Sequence, residues 1–198
     1  MTLSNRVLKG SVVPPRLPDP RSGLVLDTHE LSRRAGEQVE VTRVAEAPAD
    51  LGIDVIGVPP GSPVDLDLRL ESVVEGVLVT GTAVVRLQGI CARCLEEVSA
   101  TQEVDIQELF CYPGKELDDA EARHVEGDLV DLEPVLRDAV VLDLPFTPLC
   151  RPDCAGLCPE CGANLNADPE HDHADPVDPR WVGLEGWTQP KNEPKNKE

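Results

Sequence analysis

Pro63-Val64-Asp65-Leu66-Asp67-Leu68-Arg69-Leu70 puts an aliphatic side chain at every second position and a charged one between each pair. A period of two matches the alternation of side chains across a pleated strand, so this stretch predicts a strand with one face in the core and one in water. It follows the turn signal Pro59-Pro60-Gly61 and precedes Glu75-Gly76, a second turn signal. Beyond that turn, Val77, Val79 and the run Ala83 to Leu87 predict a second β run. Val98, Ala100, Val104 and Ile106 alternate with polar residues and predict a third. Three β runs with short joins imply an antiparallel meander.

Working outward, Leu24-Val25-Leu26 marks the start of structure. Leu31 to Gly36 reads as a turn or short helix closed by Gly36, and Val39, Val41 and Val44 suggest a further strand. Residues 114–128 hold Glu116, Asp118, Asp119, Glu121, Glu126 and Asp128 and read as an acidic loop. Leu132, Val135, Leu136, Ala139 and Val140 then fall at i, i+3, i+4, i+7 and i+8, the stripe of one amphipathic helix. Asp131 is placed as its N-cap, Pro134 is acceptable in the first turn, and Pro145 ends it. The expected fold is α+β: an antiparallel β-meander or partly closed sheet, one main helix, and a cysteine-rich zinc knuckle near the C-terminus. Residues 1–23 are expected to be a flexible basic arm, 24–166 the folded domain with its knuckle at 150–162, and 167–198 a mostly disordered tail. That tail carries a short segment, 179–187, with Trp181, Leu184 and Trp187 spaced three apart; packing on the protein's own body and docking to a partner are both open for it.

The chain has 198 residues and a net charge of -19, with only 3% aromatic residues, so its core must be built from Val, Leu, Ile and Ala. The charge is uneven. Residues 1–23 have four basic side chains (Arg6, Lys9, Arg16, Arg21) and one acidic, whereas 24–150 have nine basic and 26 acidic. Nucleic-acid affinity rests on Lys and Arg against phosphates, so the acidic body argues against a broad electrostatic footprint on RNA. It suits either simple solubility or a basic partner such as a ribosomal protein. Met1 to Gly10 has no apolar stretch of the signal-peptide kind, and no run reaches the roughly 18 apolar residues of a membrane span, which predicts a cytoplasmic protein.

Six of the seven cysteines are grouped, as Cys91-x-x-Cys94 and Cys150-x-x-x-Cys154-x-x-x-Cys158-x-x-Cys161. Cys158-Pro-Glu-Cys161-Gly162 has the form of a zinc knuckle: two thiolates on one tight turn, with Gly162 free to take the turn's conformation. Structural zinc takes four tetrahedral ligands. The local ligand set is Cys150, Cys154, Cys158 and Cys161; the alternative joins Cys91 and Cys94 to Cys158 and Cys161, as in a zinc ribbon. A redox role for Cys91 would need a helix N-terminus to lower its thiol pKa, but a strand-like pattern follows it, and Glu96 and Glu97 disfavour a thiolate. Cys111, beside Phe110, reads as a buried structural thiol. His171, Asp172 and His173 are metal-capable but lie in a polar, Pro-bounded stretch that reads as a solvated linker. No phosphate-binding glycine loop and no acid–base or nucleophile–base constellation is visible, so no enzymatic activity is expected.

Cys91-Ala-Arg-Cys94-Leu95, Asp131-Leu132-Glu133-Pro134 leading to Leu144-Pro145, Pro148-Leu149-Cys150, and Cys154-Ala-Gly-Leu-Cys158-Pro-Glu-Cys161-Gly-Ala-Asn164-Leu165-Asn166 together resemble the YceD family. The resemblance covers about residues 24–166, and Asp178-Pro179-Arg180-Trp181 is similar to the family's actinobacterial members. It implies a non-enzymatic, cytoplasmic factor in large-subunit ribosomal RNA accumulation, acting by binding that RNA or its precursor, through the basic arm, or a basic ribosomal protein. The competing expectations are a zinc-stabilised protein–protein adaptor unconnected with ribosomes, and a thiol redox enzyme.

Overall fold

The computed structural model describes residues 18–31, 33–114, 122–173 and 180. The arm residues Arg6, Lys9 and Arg16, the acidic Glu116 to Glu121, and Trp181, Leu184 and Trp187 lie outside the described residues. The described residues fall into two compact units divided between Cys154 and Ala155.

The first unit is built on the alternating strand. β5 (Pro63–Ser72) buries Val64, Leu66, Leu68 and Leu70 and exposes Asp65, Asp67 and Arg69, as its period of two requires. It pairs antiparallel on one side with β2 (Gln38–Glu46) and on the other with β6 (Gly76–Ile90). β6 is a single 15-residue strand where the sequence shows two apolar stretches. Its other edge pairs along its whole length with β7 (Glu97–Cys111). The far end of β6 also receives β4 (Ile56–Val58), the second strand of a hairpin with β3 (Leu51–Ile53). Residues 51–58 give too short an alternation to be read as strands from sequence.

The expectation of partial closure is corrected. Among the described residues the sheet is open, running β2-β5-β6-β4-β3 with β7 on the free edge of β6. The acidic stretch is not wholly a loop either. β8 (Arg123–His124) pairs parallel with the end of β7, and β9 (Leu129–Asp131) pairs antiparallel with β1 (Val25–Asp27). That second pairing spans about 100 residues of sequence, so no local pattern could announce it. Arg43 on β2 donates to the carbonyls of Gly23 and Val25 at 3.0 and 3.1 Å and fastens β1 beside the large sheet.

The helix α1 (Glu133–Asp143) buries Val135, Leu136 and Val140. Its N-cap position is Leu132, one residue later than expected. Asp131 still caps, because its Oδ1 accepts the Glu133 N–H at 2.9 Å. Arg137 donates to the carbonyls of Ala49 and Asp50, tying α1 to the loop before β3. The apolar faces of α1 and of β5, β6 and β7 form one aliphatic core with Phe110 as its large aromatic. The predicted alternation holds in β7 at Val104 and Ile106, which are buried; at Val98 and Ala100 it lapses, because this end of the strand lies past the helix, whose last residue, Asp143, accepts from Gln102.

At Gly81 the backbone of β5 leaves no room for a side chain on β6. Its φ is +148°, and a Cβ there would run into the Asp67 carbonyl. Gly81→Ala is expected to cost about 1–3 kcal/mol through backbone strain and a forced shift of the pair. A urea melt with an unchanged midpoint would reject that account.

Candidate metal centres

Two groups of side chains have ligand atoms converging within 4.8 Å of one another, one in each unit. In the first unit they are Cys91, Cys94, Cys150 and Cys154. The second unit holds Cys158, Cys161, His171 and His173. This partition differs from both ligand sets read from spacing. Cys150 and Cys154 meet Cys91 and Cys94, while Cys158 and Cys161 meet two histidines.

The first group is made by the turn joining β6 to β7. The Cys91 N–H donates to the Glu96 carbonyl at 2.8 Å and the Leu95 N–H to the Cys91 carbonyl at 3.0 Å. Leu95 takes the left-handed conformation, φ 61°, that closes so tight a turn. After α1 the chain returns to this turn. The Pro148 carbonyl accepts the Ala92 N–H at 2.8 Å, and the Cys154 carbonyl accepts from Arg93 at 2.8 Å. These two bonds set Cys150 and Cys154 against the first pair. Cys91 Sγ lies 3.8 Å from Cys154 Sγ, and Cys94 Sγ lies 3.5 Å from Cys150 Sγ. Both distances are far beyond a disulfide bond of about 2.05 Å. They match the sulfur–sulfur edges of about 3.8 Å that follow from tetrahedral zinc with Zn–S near 2.3 Å. Cys91, Cys94 and Cys154 are buried and Cys150 is exposed.

The electrostatics of Cys91, Cys94 and Cys150 fit the same use. The Cys94 backbone N–H, aimed at Cys91 with help from the Cys150 and Arg93 amides, outweighs burial and lowers the Cys91 pKa to about 6. At Cys94 the Glu96 N–H pulls down, but burial and the neighbouring sulfurs of Cys91, Cys150 and Cys154 win and push it up to about 12. Burial raises Cys150, with Cys154 adding to the rise. One sulfur readily becomes a thiolate and its neighbours resist, because adjacent negative charges repel when no cation sits among them. Cys91 lies between two strands, so its acidity comes from local amides and not from a helix N-terminus of the thioredoxin kind. Cys111 is fully buried, as expected.

In the second unit, Cys158-Pro-Glu-Cys161 forms a tight turn that sets its two cysteines side by side. The Gly162 N–H donates to the Cys158 carbonyl and the Cys158 N–H to the Ala163 carbonyl, both at 2.8 Å, with Gly162 at φ +75°. A bridge between Leu157 and Asn164 closes a small hairpin. Asn164 and Asn166 brace the chain beyond the hairpin. Asn166 Oδ1 accepts the Ala155 N–H, and Asn164 Oδ1 accepts the Asn166 N–H. Backbone bonds from Ala167 and Asp168 to Asn164, and from His171 to Asp168, turn the chain so that the histidines face the knuckle. The linker reading of His171 and His173 is therefore corrected: their Nε2 atoms each lie 3.2 Å from Cys161 Sγ. The separation of Cys161 from His171 and His173 was legible but resembles no common zinc pattern. The amides of Cys161 and Glu160, then the Cys161 and His171 side chains, overcome burial and lower the Cys158 pKa to about 6.

No helix among the described residues is long and apolar enough to cross a membrane. No solved structure matches the chain. An uncharacterised protein of Mycobacterium tuberculosis is 45% identical over 167 residues, covering 82% of this chain and 80% of its own. An uncharacterised protein of Mycobacterium leprae is 39% identical over 167 residues, covering 82% of this chain and 76% of its own. A Zea mays protein described as a chloroplastic large ribosomal RNA subunit accumulation protein YCED homolog is 29% identical over 154 residues, covering 60% of this chain and 53% of its own. Residues 79–186, which include all the grouped cysteines and both histidines of the second group, match the model of the large ribosomal RNA subunit accumulation protein YceD. The chain therefore belongs to the YceD family.

Proposed function

We propose that this protein is a non-enzymatic, cytoplasmic factor that supports accumulation of large-subunit ribosomal RNA by binding, with a structural zinc on Cys91, Cys94, Cys150 and Cys154. The observation that carries the proposal is the match of residues 79–186 to a family described by that role. The zinc reading is supported by four sulfurs within 4.8 Å of one another, two pairs of them at 3.5 and 3.8 Å, on two segments that hydrogen-bond to each other. The metal would join the β6–β7 turn to the chain leaving α1, and so lock one end of the sheet.

The outward face of the sheet favours a basic ribosomal protein as the direct contact. Asp67 and Asp105 flank Thr82 in one cross-strand row, and Asp65 and Glu103 flank Val84 in a parallel row. Glu40 stands opposite Arg69 nearby, and all five carboxylates are exposed. Strands about 4.8 Å apart keep these charges within roughly one Debye length, so their potentials add and attract cationic surfaces while repelling phosphate. Depleting the protein from cells is expected to lower the ratio of large- to small-subunit ribosomal RNA. Complementation with an Asp65→Lys, Asp67→Lys, Asp105→Lys variant is expected to leave that ratio low. An unchanged ratio on depletion would reject the ribosomal role; full complementation by the variant would reject the acidic face as the docking surface.

A further inference from the structure

We infer that Cys158, Cys161, His171 and His173 form a second zinc site, a centre of two thiolates and two imidazoles that folds the C-terminal unit. This second site lies beyond the ribosomal role and is independent of the four-cysteine centre, since it uses none of those residues.

Three observations carry it. The first is the donor set: two thiols and two imidazoles, within 4.8 Å of one another, make the ligand class that tetrahedral zinc prefers. The second is the close triangle of Cys161 Sγ and the two Nε2 atoms, 3.2, 3.2 and 2.9 Å on its sides. Tetrahedral zinc has S···N edges of about 3.5 Å and N···N edges of about 3.3 Å, so a small outward adjustment accommodates the ion.

The third is the orientation of the rings. His173 turns its Nδ1 to Glu160 Oε2 at 3.4 Å, and His171 turns its Nδ1 toward Asp168 Oδ2 at 3.8 Å. With the proton on Nδ1, the nitrogen that faces the carboxylate, each ring has its Nε2 lone pair free for a cation. The two Nε2 atoms and the Cys161 sulfur converge on one point, 2.9 and 3.2 Å apart. With a cation among them, this is the carboxylate–histidine–zinc arrangement by which outer groups orient metal-bound imidazoles. Neither carboxylate comes from a distant element. Glu160 lies inside the knuckle and Asp168 lies three residues before His171, so the 155–173 segment carries both its ligands and the groups that orient them.

The test is metal content of the full chain, purified under reducing conditions, by inductively coupled plasma mass spectrometry. The expected result is two zinc equivalents per chain. Asp168→Asn with Glu160→Gln is expected to keep the fold and weaken one of the two zinc ions by roughly 10–100-fold in a chelator competition, the effect typical of losing such outer groups. His171→Ala with His173→Ala is expected to leave one equivalent. Replacement by cobalt gives a readout that survives partial unfolding. The native protein should show the absorption of both an all-thiolate centre and a mixed thiolate–imidazole centre, and the double histidine variant the all-thiolate spectrum alone. One zinc equivalent in the native protein, or two in the double histidine variant, would overturn the second site. Loss of one equivalent in Cys91→Ser but not in the histidine variant would do so while leaving the first centre intact.

Discussion

Cys94→Ser is expected to release the zinc proposed for the first centre and to lower the melting temperature by about 10 °C. Cys94 is buried and contributes one of four sulfurs, so the serine hydroxyl leaves three thiolate donors and a poor fourth. A bound ion at about a thousandfold over its Kd stabilises by about 4 kcal/mol, and in a chain of this size each kcal/mol moves the melting point by about 2–4 °C. The loss also removes the brace between the β6–β7 turn and residues 148–154. Two backbone-directed bonds, Ala92 to Pro148 and Arg93 to Cys154, would remain, worth about 1 kcal/mol each. They cannot replace the ion. Calorimetry of the native protein with and without a strong chelator should show a fall at least as large as that between native and variant, since the chelator also strips the second centre. A chelator-treated protein that melts unchanged would remove zinc from the account of this fold.

Leu68→Ala is expected to destabilise the protein by about 2–5 kcal/mol, whereas Asp67→Ala, one residue away, should stay within about 0.5 kcal/mol. Leu68 is 1% exposed at the centre of β5, and its neighbours on that face, Leu66 and Leu70, are equally enclosed. Truncation removes buried methyl groups and leaves a cavity that a sheet fixed on both sides by β2 and β6 cannot close. Asp67 faces water and accepts from the Thr42 hydroxyl at 3.4 Å, an interaction too exposed to matter much. Denaturant unfolding of both variants measures the contrast directly. Equal effects would mean that the period-two pattern does not report burial here.

That contrast explains which parts of the fold were readable in advance. In β5, β6 and the middle of β7 each residue's environment is set by its own parity, because the sheet has one covered face and one wet face. Helix α1 was legible for the same reason, with a period of 3.6 in place of two. The pairing of β1 with β9 was not legible, since three-residue strands carry no period and their partners lie about a hundred residues apart. Open and partly closed sheets share one alternation and differ only in which edges meet, so the sequence could not choose between them.

The cysteines divide along the same line. Their number, their grouping and the turn at Gly162 are properties of the chain, and they point to sulfur ligation whatever the fold. Which sulfurs meet depends on where α1 ends and how residues 148–154 return to the β6–β7 turn, a matter of long-range packing. Spacing along the chain therefore favoured joining Cys150 and Cys154 to their sequence neighbours, while the folded backbone carries them to Cys91 and Cys94. His171 and His173 looked like linker residues because they sit in a polar, Pro-bounded stretch. Two successive turns, anchored on Asn164 and Asp168, bring them to Cys161. Local sequence determined the element types, the buried face and the sulfur chemistry; the tertiary structure alone decided the partners, because a ligand set is a relation between segments that no single segment encodes.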